Sequence, residues 1–304
     1  MAIKQMLTKA AMMGSKTVII TRRAKLEYSL GSILVRDADE TKSVLIDDIN
    51  ILIIENQGIA ITGVLLSELV KQKVKVIFCD EKHNPLFECM PYYGAGNTSL
   101  RVRSQVKWSD EDKNAVWDRI IALKILHQAK VLEAFDKENA NKLLLSYIDE
   151  IKNGDETNRE GHAAKVYFNS LFGAGFSRRD DTPLNAKLNY GYSLLLSMCA
   201  REITALGFIT QLGIHHDNSE NSFNFACDMM EPFRPIVDSI VNRKFLEGEF
   251  TTEAKRLMIS AIVEAKVVIK DKVYKLPYAI GKFVQNAVSA IENQTFIEDF
   301  DYGY

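Results

Sequence analysis

The chain has 304 residues, 47% of them apolar, which is enough to fill the core of one large domain or of two ordinary ones. Thirty-eight basic residues against 40 acidic give a net charge of -2, which excludes a protein that coats nucleic acid indiscriminately; any polyanion must meet a focused patch. No apolar stretch approaches the roughly 20 residues of a membrane span, and Cys79, Cys89, Cys199 and Cys227 form neither a close C-x-x-C pair nor a disulfide framework, so the expectation is a soluble, unexported, cytoplasmic chain with reduced thiols and no structural zinc.

Residues 1–13 form an extension to which the sequence assigns no role. From Lys16 to Phe87 the text reads as short β-branched strands, "KTVIIT", "AKLEYS", "SILVRD", "KSVLIDD", "INILIIEN" and "VKVIFCD", broken by turn signals such as Gly31 and Asp47-Asp48. Between the last two lies "TGVLLSELVKQK", with Val64, Leu65, Leu69 and Val70 at helical spacing and Thr62 as N-cap. The turn-rich "MPYYGAGNTSLRVRSQVKW", residues 90–108, marks a boundary between a domain over 1–100 and another over 108–304.

Ser109 then caps a helix whose first turn carries Asp110, Glu111 and Asp112. The apolar spacing predicts helices over 109–135, 139–151, 157–172, 182–206, 223–231, 233–246, 251–269 and 276–293, with a β-hairpin around Lys270-Asp271. The end, "IENQTFIEDFDYGY", carries four acids and no base and reads as a frayed, solvated tail, a partner-docking segment being the alternative. The fold class expected is α+β, an N-terminal β-rich domain followed by an all-α domain.

Chemistry-bearing residues gather in "LGIHHDNSENSFNFACDMMEPFRP". Asp228 and Glu231 lie three apart, on one helical face, and the apolar residues around them imply a buried turn; buried carboxylates want a cation or a proton. Pro232 and Pro235 permit a kink or restart there. His215 and His216, standing alone, are ordinarily polar residues ending a helix. Glu160, early in an amphipathic helix, is by itself plain dipole compensation, and Gly161 beside it permits close approach of another backbone.

Together, "EGHAAKVYF" from Glu160, "FSRRDDTPLNAKLNYGYSLL" from Phe176, "LGFITQLGIHHD" from Leu206 and "DMMEPFRPIVD" from Asp228 resemble the CRISPR spacer integrases of Cas-one type, with a leaning to the type II branch. The resemblance implies a β-rich dimerisation domain before a helical catalytic domain. It implies Glu160, His216 and Glu231 as catalytic residues and ligands of Mn²⁺ or Mg²⁺, His216 rather than His215 because the family's histidine stands three after the glycine, here Gly213, and Asp228 as a supporting acid. Two carboxylates and an imidazole leave coordination positions open for phosphate.

The implied activity is integration: 3′-hydroxyl ends of short double-stranded DNA fragments attack CRISPR repeat DNA by transesterification, in antiviral defence, with associated endonuclease activity. The implied partners are a second copy of the chain in a homodimer, a small Cas-two-type protein and further adaptation proteins. Candidate DNA contacts are Arg178 and Arg179 in a loop, Asn189, Tyr190 and Tyr192 on the next helix, and Arg234. The plainer readings are a solvated loop neutralised by Asp180-Asp181 for the two arginines and core packing for the tyrosines. A metal-dependent nuclease on the same scaffold and a non-catalytic DNA-binding scaffold stand as alternatives.

Overall fold

The structure, a computed structural model, describes residues 16–81, 85–89 and 97–302. The extension 1–13 and residues 90–96 of the boundary segment lie outside the described residues. The chain divides into two compact units, Met1–Tyr92 and Tyr93–Tyr304.

In the first unit, β1 (Lys16–Ile20), β5 (Ile49–Ile54) and β7 (Lys75–Cys79) pair in parallel, and β8 (Pro85–Glu88) adds antiparallel to β7. The apolar text of β5, interrupted only by Asn50, follows from its central place, because a strand covered on both faces loses the in-out alternation. A second sheet runs β4 (Thr41–Leu45), β3 (Ser32–Arg36), β2 (Lys25–Ser29), β6 (Ala60–Ile61). Helix α1 (Gly63–Lys71) starts at Thr62, whose side chain accepts from the Leu65 N–H. Leu65 and Leu69, one turn apart, join Leu26, Ile33, Ile46, Leu52 and Val76 in one core. Val64, on the opposite face, is exposed.

The second unit contains α2 (Thr98–Gln105), α3 (Asp110–Ala134), α4 (Glu138–Ile148), α5 (Arg159–Phe172), α6 (Pro183–Ala205), α7 (Asn224–Met230), α8 (Arg234–Lys244), α9 (Thr252–Val263) and α10 (Leu276–Asn293). The long helices α3 and α6 are its axes: α4, α5, α8 and α10 pack on α3, while α7, α8, α9 and α10 pack on α6. Ser109 caps α3 and Thr182 caps α6, the latter followed by Pro183 in the first turn, where a missing N–H costs nothing.

Three expectations are corrected. Residues 98–105 form helix α2 and belong to the second unit, held there by Arg101 and Ser104 on Glu292 and by Gln105 on the Ile209 and Leu212 carbonyls. The helix predicted over 251–269 stops at Val263, and Lys266–Ile269 is strand β9, paired with β10 (Lys272–Lys275) across a turn at Lys270 and Asp271. The C-terminal segment is docked, not frayed: β11 (Asp301–Tyr302) pairs with β9, Ile297, Phe300 and Tyr302 are buried, and Asp299 and Asp301 meet Arg119 and Lys130 of α3. No helix among the described residues is long and apolar enough to cross a membrane, and among the described residues the four cysteines form no disulfide.

Candidate metal centre

Helix α3 aims Trp117 and Lys124, two turns apart, at the same place. The Lys124 ammonium donates to Glu160 Oε1 and to Glu231 Oε2, each at 2.5 Å, with the lysine side chain 8% exposed and Glu231 3%. Burial alone would lower the Lys124 pKa, but the charges of Glu231 and Glu160 overcome it and raise the value.

Glu160 arrives there through the loop before α5. Asn158, in the left-handed region, caps the Gly161 N–H, while Asp155 accepts from the Arg159 and Glu160 N–H groups at 2.8 and 2.9 Å. The Asp155 N–H in turn donates to Asp118 on α3. A Cβ on Gly161 would lie 2.6 Å from Asn158 Oδ1, so the close approach this glycine admits is its own cap and not another backbone.

Glu231 opens a 3-10 turn, Glu231–Phe233, between α7 and α8, with Pro232 at its start and Pro235 in the first turn of α8, where the chain restarts as the two prolines suggest. Its second oxygen accepts from Arg234 Nε at 2.8 Å. Burial pushes the Glu231 carboxyl up, but the charges of Arg234, Lys124 and His216 outweigh it and hold the group at about 2. The Pro232 carbonyl is fixed by His127 Nδ1 at 3.0 Å and by the Tyr302 hydroxyl.

Asp228, wholly buried on α7, gathers the 214–216 turn: its oxygens accept from the N–H groups of Ile214, His215 and His216, and Oδ1 lies 2.6 Å from His216 Nδ1. That bond places the ring proton on Nδ1 and leaves the Nε2 lone pair for a ligand role. The hydrogen bond raises the His216 pKa, burial opposes it, and the charges of Asp228, Glu231 and Glu160 add to the rise. A Cβ on Gly213 would fall 2.3 Å from the His216 carbonyl oxygen and 2.7 Å from Asp228 Oδ2, so the turn closes only around glycine. Trp117 stacks face to face on His215, with ring centroids 4.1 Å apart, and edge-on to His216.

Thus Glu160 and Glu231 meet on one ammonium, His216 is near enough for both carboxylates to act on it, and Asp228 braces the histidine. Among the described residues no three His, Cys, Asp or Glu side chains stand together as a ready metal cage. The donor chemistry nevertheless fits a hard divalent cation: two anionic oxygens already gathered around a positive charge, and an imidazole whose other nitrogen is held by a carboxylate.

The DNA-contact candidates divide. Arg178 donates to Asn185 and Asn189 and is not neutralised by Asp180-Asp181; its guanidinium lies 5.1 Å from the centroid of the Tyr192 ring, and that of Arg234 lies 4.6 Å from it. Tyr192 donates to Asp238, which burial raises to about 6 against the hydrogen bonds of Tyr192 and Tyr167. Tyr190 is buried edge-on to Phe250 under Lys255, so it is a core ring and no stacking platform. Asn189 and Arg179 are exposed, Asn189 already engaged by Arg178. Sequence reasoning missed Lys124, Trp117, Asp155 and His127. The signal for Lys124 was a lysine set among Ile120, Ile121, Leu123 and Ile125 in "RIIALKIL", a place where a solvated lysine has no reason to be.

Residues 17–268 match the family model described as CRISPR associated protein Cas1. A CRISPR-associated endonuclease Cas1 of Neisseria meningitidis serogroup C (strain 8013) is 31% identical over 283 residues, 92% of this chain and 93% of the relative. A casposase bound to integration product has a similar fold, with a TM-score of 0.72 at 19% identity over 93% of this chain and 92% of that one. A chain of a Cas6-RT-Cas1–Cas2 complex aligns with a TM-score of 0.71 at 18% identity over 96% of this chain, which spans 36% of that longer chain.

Proposed function

Since this chain belongs to the CRISPR-associated Cas1 family, we propose that it is a metal-dependent DNA integrase of CRISPR adaptation, joining 3′-hydroxyl ends of short double-stranded DNA fragments to the repeat array by transesterification. The observation that carries the reading is the convergence of Glu160 and Glu231, 71 positions apart in the chain, on one buried ammonium beside the Asp228-braced His216. A bound divalent cation supplies Lewis-acid polarisation of the scissile phosphate and stabilises charge on the attacking and leaving oxygens.

The chain's own residues do the rest. Glu160, Glu231 and His216 Nε2 are the donors that hold the cation, and the nitrogen donor makes Mn²⁺ a more comfortable occupant than Mg²⁺. Asp228 fixes the ring, and Arg234 with Arg178, both against the Tyr192 ring, supplies fixed positive charge for phosphate. The nucleophile comes from the DNA: the fragment's 3′-oxygen bonds to phosphorus as the repeat strand's bridging oxygen leaves, so the protein needs no nucleophile of its own. A fold neighbour solved with an integration product and another in assembly with Cas2 support DNA and a small Cas2-type partner, and the β-rich unit is assigned the homodimer contact.

Strand transfer into repeat DNA in Mn²⁺ tests the reading. Wild type should yield branched product from fragments with 3′-hydroxyls and none from 3′-deoxy fragments, while Glu160→Ala and His216→Ala should lose about a thousandfold in rate, equivalent to several kcal/mol in the transition state. Full transfer by either variant would remove the metal-site reading. Nicking without joining would favour a nuclease in which water replaces the hydroxyl, a reading that the Neisseria relative's name, endonuclease, supports. DNA binding with neither activity would leave a scaffold.

A further inference from the structure

We propose that Lys124 is an internal counter-cation, one that holds Glu160 and Glu231 together while no divalent cation is present and gives up that position when one enters. The inference rests on the metal-site reading above.

Two carboxylates drawn to one point, Glu231 buried and Glu160 half-buried, repel each other, and with water excluded from the Glu231 side a counter-cation is needed to hold them together. An ammonium has three donors and no acceptor, and two of them are spent here, one on each glutamate. Arg234 takes the other oxygen of Glu231, so the formal charges of Glu160, Glu231, Lys124 and Arg234 cancel without a metal. Glu160 Oε1 and Glu231 Oε2 both lie within hydrogen-bond distance of the one Lys124 nitrogen, and a cation shared between the same oxygens would overlap the ammonium in space and repel it strongly in a low-dielectric site. The two occupants are therefore alternatives. The way out for the lysine passes Glu160, whose side chain is 28% exposed, because Glu231 closes the inner side at 3%. Metal entry is then an exchange of one cation for another, and it breaks two charge-assisted hydrogen bonds before any coordination bond is gained.

The test uses the full chain with Mn²⁺ alone as probe. Free Mn²⁺, read by its paramagnetic resonance signal during titration, gives the dissociation constant for wild type and for Lys124→Met, in which Arg234 still pairs Glu231. The variant should bind Mn²⁺ at least tenfold more tightly, and saturating Mn²⁺ should raise its melting midpoint over the chelated state by more than it does in wild type. Unchanged or weaker binding by the variant, with wild type binding, overturns the Lys124 inference alone. Failure of both proteins to bind Mn²⁺ overturns the metal-site reading and this inference with it. Should Lys124→Met not fold, lysine acetylation of wild type mapped by mass spectrometry decides. Lys124 should be protected in chelator and modified several-fold faster in Mn²⁺, and equal protection in both overturns the inference.

Discussion

His127 lies wholly buried on α3, with its ring between the carbonyl oxygens of Pro232, 3.0 Å from Nδ1, and Phe300, 2.9 Å from Nε2. Burial pushes its pKa from 6.5 down to about 4, although both carbonyls and Asp301 favour the proton. The folded state thus refuses a proton that the unfolded chain accepts: above about pH 6.5 this group takes nothing from stability, and as pH falls from there to about 4 it removes up to about 3 kcal/mol. Asp238, raised to about 6, acts in the opposite sense, its contribution being greatest below pH 3.8 and lost as pH rises through 6. Urea unfolding at pH 7 and pH 4.5 should show wild type losing stability on acidification and His127→Gln losing distinctly less; equal losses would mean that another group carries the titration. At this scale the sequence made Glu160, His216, Glu231 and Asp228 legible, because their blocks resemble a family pattern. Lys124 stayed hidden because its partners lie 36 and 107 residues away, and pairing at that distance leaves no local mark.

Hairpin β2–β3 closes through Leu30 and Gly31, with φ of 46° and 77°. Two consecutive left-handed residues make the tight turn that matches strand twist, and asparagine or glycine suits the first position where leucine is strained. The Leu30 side chain is 95% exposed and contributes no core packing. Leu30→Asn should therefore stabilise the full chain by about 1 kcal/mol, read as a higher melting midpoint; a lower one would show that the turn is not strained. Elements of this kind were readable from the text: Gly31 as a turn, Thr62, Ser109 and the alternating or periodic apolar residues as starts and faces. The end of α9 was not. Its apolar spacing runs on through Val267 and Val268, and only pairing with β10 and β11 makes Lys266–Ile269 a strand. The acidic terminal segment misled for a similar reason, since the bases that receive Asp299 and Asp301 sit on a helix some 170 to 180 residues earlier.

Every residue assigned to the cation site, from Trp117 to Arg234, lies in the second unit, and so do the groups that brace them: Asp118 and Asp155 behind Glu160, Asp228 behind His216, His127 and Tyr302 behind Pro232. Each unit has its own core, so residues 93–304 expressed alone should fold cooperatively and bind Mn²⁺ with the affinity of the full chain, while sedimenting as a monomer if the β-rich unit supplies the homodimer contact. A fragment that folds but has lost Mn²⁺ binding would show that the first unit completes the site. One side chain gives this region a further property. Of the chain's two tryptophans, Trp108 is ringed by Phe208 and Phe225, whereas Trp117 lies flat against His215 with His216 at its edge. An ultraviolet emitter is thereby built into the wall of the centre, and with Trp108 replaced by phenylalanine its brightness becomes an unlabelled optical gauge of whatever reaches those imidazoles.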